Sequence, residues 1–142
     1  HNHMWGFDSF EGLPKETEDN VKNSEWGPGA YKTAFSPEDL MNKLGGASKV
    51  GFVKGFYSKS LTPSLAASRG MSKAFYIDMD ADLYISSAQA LEWVFSSGLV
   101  RVGTLFGYDD WWVNACSKGG ELLNPMDTSV GRAHREVTLK HR

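Results

Sequence analysis

Apolar residues along the chain fall into short runs separated by polar, turn-rich stretches. Met4–Phe7 reads as a strand ending at Asp8, and Gly12 and Pro14 mark a turn after it. Ser36-Pro37-Glu38-Asp39 is a helix start, with Ser as N-cap, Pro in the first turn and acids facing the positive end of the helix dipole. Leu40, Met41 and Leu44 give that helix an apolar side, and Gly45-Gly46 stops it. Val50–Phe56 reads as a strand, with Lys54 placing it at an end or an edge. Ser64–Arg69 is a short helix closed by Gly70. Ala74, Phe75, Tyr76 and Ile77 form a buried strand. Ser86–Ser97 is a helix capped by Ser86 or Ser87, with Ala90, Leu91, Val94 and Phe95 at helical spacing and Gly98 as its stop. Leu99–Tyr108 is a further strand. Ser129–Lys140 reads as a terminal amphipathic helix with Val130, Ala133 and Val137 on its apolar side, although Glu136–Lys140 would also pass as a strand.

Two long stretches lack such patterning. Lys15–Tyr31 and Val113–Thr128 are polar and turn-rich, and loops of that length inside compact domains are commonly lids or binding loops. Trp26 on the first either closes over a ligand or tacks the loop to the body, and the second is the simpler expectation.

Strand, helix, strand, helix, strand, helix is the order of an α/β fold with a doubly wound, mainly parallel, Rossmann-like sheet and flanking helices. In such sheets ligands sit beyond the carboxyl ends of the strands. Asp8, Asp80 with Asp82, and Asp109 with Asp110 all fall at expected strand carboxyl ends. Each has an ordinary explanation alone; Asp8, for example, taken alone reads first as a turn residue bonded to its own backbone. Together on one rim they point to a site.

The stretch from Ala74 to Ser87 carries most of that signal. Asp78, Asp80 and Asp82 stand at every second position, and residues two apart in an extended chain point to one side. Like charges so placed repel, and a bound divalent cation would remove the repulsion because hard ions take oxygen ligands. The plainer alternative ends the strand near Asp78 and leaves the acids in a solvated loop or helix cap. Three carboxylates with waters suit Mg²⁺, and the lack of His and Cys nearby makes zinc a poor fit.

Composition narrows the function classes. The 142 residues are 41% hydrophobic, 23% charged and 13% aromatic with five Trp, which fits one globular domain with a well-packed interior or an aromatic-lined cleft. A net charge of −2 and a pI of about 6.1 leave no basic footprint for nucleic acid. No apolar run approaches the ~20 residues of a membrane span, and no signal-peptide pattern opens the chain. The single Cys116 has no internal partner, so a reducing, cytoplasmic setting is expected and the thiol reads as structural. His1-Asn2-His3-Met4 looks like a cloning scar, which leaves 5–142 as the α/β domain.

Several motifs resemble one family. WGFDSFEGLP (Trp5–Pro14), KGFYSKSL (Lys54–Leu61), IDMDADLYISSAQAL (Ile77–Leu91) and GYDDWW (Gly107–Trp112) look like the macrocin O-methyltransferases, over Trp5 to about Glu136. The resemblance implies a class I enzyme that uses S-adenosylmethionine and a divalent cation such as Mg²⁺. It implies Asp80, Asp109 and Asp110 as metal ligands, and Asp82 as the base that takes the proton of the acceptor hydroxyl. It implies Asp8 for the cofactor ribose, with Ser9, Phe10, Gly55 and Phe56 as further cofactor contacts. Asp78 is outside the family pattern. The acceptor would be a hydroxyl of a sugar or another small molecule. Trp111 and Trp112 beside the metal acids suit either a sugar face or the core.

The family's sheet also has a strand and Gly-rich turn ahead of the WGFDSF strand, and two strands after the last helix. Neither segment is found in this sequence, so the chain reads as a fragment of a methyltransferase core or a natural short form. The missing central strand leaves its place empty or lets the Trp5 strand pair with the Phe75 strand. The same departure favours an alternative: a non-catalytic α/β module whose open sheet edges pair with a second copy or a protein partner. A different metal-dependent transferase or hydrolase using the same acids is a third reading.

Overall fold

The computed structural model describes residues 3–15, 26–112 and 122–142. The chain divides into two compact units, His1–Ser60 and Leu61–Arg142.

In the first unit, β1 (Met4–Asp8) pairs in parallel with β2 (Val50–Lys54), with Trp5 opposite Gly51 and Gly6 opposite Phe52. These glycines have a packing reason. The Phe52 ring covers Gly6 and the Trp5 ring covers Gly51, so a Cβ at either would strike an aromatic ring. Helix α1 (Pro37–Lys43) lies between the strands in sequence. Its start is a full capping box, in which the Ser36 hydroxyl accepts from Asp39 N–H at 3.1 Å and the Asp39 carboxylate accepts from Ser36 N–H at 3.0 Å. The expected glycine stop is present, with Gly46 N–H returning to Met41 O at 2.9 Å. The expected apolar face buries nothing fully; Leu44 is 47% exposed. Trp26 is 3% exposed, which matches the tacking role. A single helical turn, α2 (Tyr57–Ser60), follows β2, and Tyr57 donates its hydroxyl to Phe7 O at 3.1 Å.

The second unit opens on α3 (Leu65–Ser68), whose Leu65 and Ala66 are buried. Next, β3 (Tyr76–Met79) pairs in parallel with β4 (Leu105–Tyr108), in the register Tyr76 to Leu105 through Met79 to Tyr108. Between them runs α4 (Tyr84–Ser96), and α5 (Ser129–Lys140) packs along it after a 3₁₀ turn at Pro125–Asp127. Leu83, Leu91, Ala133 and Val130 are essentially sealed and form the centre of this core. Burial of Val130, Ala133 and Val137 confirms the expected apolar side of α5.

The fold is mixed α/β, and both strand pairings are parallel. The single doubly wound sheet is not formed by the described residues; the strands make two two-stranded sheets, β1 with β2 and β3 with β4. The Trp5 strand takes the Val50 strand as its partner, and not the Phe75 strand.

Three local expectations are also corrected. The strand expected at Ala74 runs two residues later, and Phe75 and Tyr76 stand 70% and 54% exposed. Helix α4 starts earlier than expected, with Leu83 at its N-cap, so Ser86 and Ser87 are buried inside the helix and do not cap it. Of Leu99–Tyr108 only the last four residues are strand; Thr104 caps a tight turn at Arg101 by accepting its N–H at 3.1 Å. Most of the first long loop (16–25) and of the second (113–121), Cys116 included, lies outside the described residues.

Candidate metal centre

The acid cluster sits at the carboxyl end of the β3–β4 pair. β3 ends at Met79, and Asp80, Ala81 and Asp82 form the turn into α4. Asp82 adopts the left-handed region with φ of 51°, uncommon for a non-glycine residue though more often seen for Asp and Asn than for most others. Leu83 N–H turns back onto Ala81 O, which tightens the bend. On the neighbouring strand, Asp109 N–H makes the last ladder contact, to Met79 O at 3.4 Å, and Asp110 follows it.

These two turns bring Asp80, Asp82 and Asp110 together, with one carboxylate oxygen from each lying within 4.8 Å of the others. Oxygens held ~2.1 Å from a Mg²⁺ ion stand about 3 to 4 Å apart, so the spacing suits such an ion. Asp110 adds a second indication: its Oδ2 is buried and has no hydrogen-bond partner. A buried carboxylate oxygen left in that state costs about 1–3 kcal/mol, and a cation is one partner that would satisfy it. All-oxygen donors of full negative charge fit a hard divalent ion and not a soft one.

The electrostatics agree. Burial, then the charges of Asp110, Asp80 and Asp109 in that order, pushes the Asp82 carboxyl up to about 6. Burial and the charges of Asp80 and Asp109 also raise Asp110, opposed by hydrogen bonds from Asp82. In the absence of a cation, Asp82 thus favours its protonated form more than an ordinary carboxyl does.

Asp109 is exposed and is not one of the three converging carboxylates; it contributes charge to the cluster. Asp78 is not among the converging carboxylates and instead accepts from Tyr76 Oη at 3.1 Å. The even spacing of the three acids therefore does not put them on one strand face. The strand ends before Asp80, and it is the left-handed bend at Asp82 that folds the last two acids toward Asp110.

The expected cofactor residues also come together, at the carboxyl end of the β1–β2 pair in the first unit. Gly55 N–H donates to Asp8 O at 2.9 Å, joining Asp8-Ser9-Phe10 to Gly55-Phe56. Gly55 has a φ of 136°, and Phe10, buried, sits in the left-handed region at 58°. The Asp8 carboxylate accepts from Phe10 N–H, and Ser9 Oγ accepts from Glu11 N–H at 3.0 Å. Asp8 is thus a turn former as well as an exposed acid at a strand end.

One arrangement had no signal in the sequence. Tyr108 Oη and His134 Nδ1 lie 2.6 Å apart, and the Trp111 ring packs on both, at 5.1 Å from Tyr108 and 5.7 Å from His134. Burial holds His134 below the usual imidazole range and pushes the Tyr108 phenol up, so two neutral groups share this hydrogen bond and the imidazole tautomer sets its direction. The 26 residues separating the pair place them on different elements, and no local spacing links them.

Comparison with protein families, with curated proteins and with solved structures finds no match to this chain.

Proposed function

We propose that this chain carries the cation site of a divalent-metal-dependent O-methyltransferase that uses S-adenosylmethionine, acting on a hydroxyl of a sugar or other small molecule. The observation that carries the reading is the convergence of Asp80, Asp82 and Asp110 with a buried, unpartnered oxygen on Asp110. The motif resemblance supplies the reaction class, and the meeting of Asp8, Ser9, Phe10, Gly55 and Phe56 at one strand end supports a cofactor role for them.

When bound, the cation lowers the pKa of an acceptor hydroxyl and the sulfonium cofactor supplies the methyl group. Asp80 and Asp110 would hold the ion, and Asp82 would take the proton that the acceptor hydroxyl loses when it accepts the methyl group.

Calorimetric titration of the folded protein with Mg²⁺ and Mn²⁺, followed by transfer of a labelled methyl group to polyhydroxylated acceptors, tests the reading. Saturable one-site binding that Asp110→Asn strongly weakens is the expected result. A well-folded sample that takes up neither ion ends the proposal.

The sheet topology favours a second reading, a non-catalytic module that self-associates. Each strand has one hydrogen-bonded neighbour among the described residues, which leaves outer edges for a second copy to extend. Light scattering that returns a strict monomer at high concentration removes this alternative.

A further inference from the structure

The ladder between β3 and β4 reaches only as far as Asp109, whose N–H meets Met79 O at 3.4 Å. Asp110 therefore stands one residue beyond the sheet's own hydrogen bonds, yet a cation site tolerates only a few tenths of an ångström in its oxygen positions. Trp111, the next residue, is packed in two directions. Its ring lies at 47° to Tyr108 and edge-to-face, at 76°, with His134. Tyr108 and His134 are in turn joined through Oη and Nδ1 at 2.6 Å, with their rings edge-to-face at 5.4 Å. His134 belongs to α5, whose Val130, Ala133 and Val137 are buried, so the imidazole is presented by a well-anchored helix.

We propose that His134 is a positioning residue for the acid cluster: through Tyr108 and Trp111 it fixes the turn after β4 that presents Asp110 to Asp80 and Asp82. This rests on reading those three carboxylates as a cation site. Groups that orient metal ligands without touching the metal change affinity by about 10- to 100-fold when removed. The hydrogen bond supplies direction and the Trp111 contact supplies bulk. Asn at 134 keeps a polar partner for the Tyr108 hydroxyl, whereas Ala keeps neither contact.

The test follows Mn²⁺ affinity and, separately, hydrogen exchange of the Asp82 amide in metal-free protein, because the Asp82 turn lies against Asp110. His134→Ala is expected to weaken Mn²⁺ binding about tenfold and to speed Asp82 exchange with the circular dichroism unchanged; His134→Asn returns most of both. Tyr108→Phe is expected to give a smaller loss that does not add to that of His134→Ala, since both act on one chain of contacts. Wild-type affinity and wild-type exchange in His134→Ala overturn the proposal, as does full additivity of the two losses. If His134→Ala does not fold, Tyr108→Phe and His134→Asn decide: a loss in the first and retention in the second support the role, and wild-type behaviour of Tyr108→Phe overturns it. If the wild-type protein binds no Mn²⁺, the cation reading fails, and the exchange of the Asp82 amide alone decides whether His134 positions the turn.

Discussion

The carboxylates of Asp82 and Asp110 converge, with one oxygen of each, and one of Asp80, lying within 4.8 Å of the others. Two acids from different strand ends are thereby held in contact, with one favouring its protonated form. In the absence of a cation that contact opposes ionisation of the pair. A divalent cation between the two would remove that opposition.

Removing charge from Asp82 should therefore stabilise the metal-free protein. Asp82→Asn keeps a side chain tolerant of the left-handed backbone and abolishes the repulsion. A rise of about 1 kcal/mol in unfolding free energy in EDTA is expected, together with loss of methyl transfer in an active form. Chemical denaturation at neutral pH measures the first.

The pH dependence follows from the same group. Burial and the neighbouring acids push the folded Asp82 carboxyl up to about 6, against an ordinary value of 3.8. Between those values the folded state holds more protons than the unfolded one, so this residue's contribution to stability falls as pH rises through the window. The full shift corresponds to about 3 kcal/mol at most, and access of water reduces it to about 1–2 kcal/mol. Asp39, Glu92 and Glu136 are lowered by their partners and act in the opposite direction, losing stability as the pH falls. The difference between wild type and Asp82→Asn isolates the term: it should be small at pH 4 and full at pH 7 in EDTA, and saturating Mg²⁺ should abolish it.

Asp109 and Asp110 are separable by experiment. Asp110→Asn should lower Mn²⁺ affinity by roughly a hundredfold, since it removes a converging ligand. Asp109→Asn, which changes only the surrounding charge, should lower it by about threefold at low salt and less as salt screens the field. Titration calorimetry of the two variants at two ionic strengths checks both. Equal losses would restore the paired-ligand arrangement that the family resemblance implies.

Gly131 offers a test of packing remote from the acids. It is buried in the first turn of α5, and a Cβ there would run into the backbone carbonyl of Pro125, which no side-chain rotation relieves. Gly131→Ala should cost about 1–3 kcal/mol even though alanine is the better helix former. At Gly107 a Cβ would instead meet the Tyr76 hydroxyl and the end of Asp78, which are free to swing away, so Gly107→Ala should cost less. Thermal melts of the two variants should separate in that order.

Much of this arrangement is local and was readable in the residues. Ser36 and Asp39 make their box because both halves lie within one turn, and the glycines at 45, 46, 70 and 98 stop helices because their positive φ angles are set on the spot. Strand ends at Asp8 and Tyr108, and the apolar side of α5, follow from short runs and helical spacing. Period-two reasoning failed at the acids because it holds only while the chain stays extended, and the chain leaves the strand at Met79. Which of Asp109 and Asp110 turns inward was equally beyond reach, since the choice depends on the direction of a bend. Strand pairing, the meeting of Asp110 with Asp80 and Asp82, and the Tyr108–His134 contact were decided by tertiary structure. Each joins residues more than 20 positions apart, and packing brings such residues together without leaving a local spacing to read.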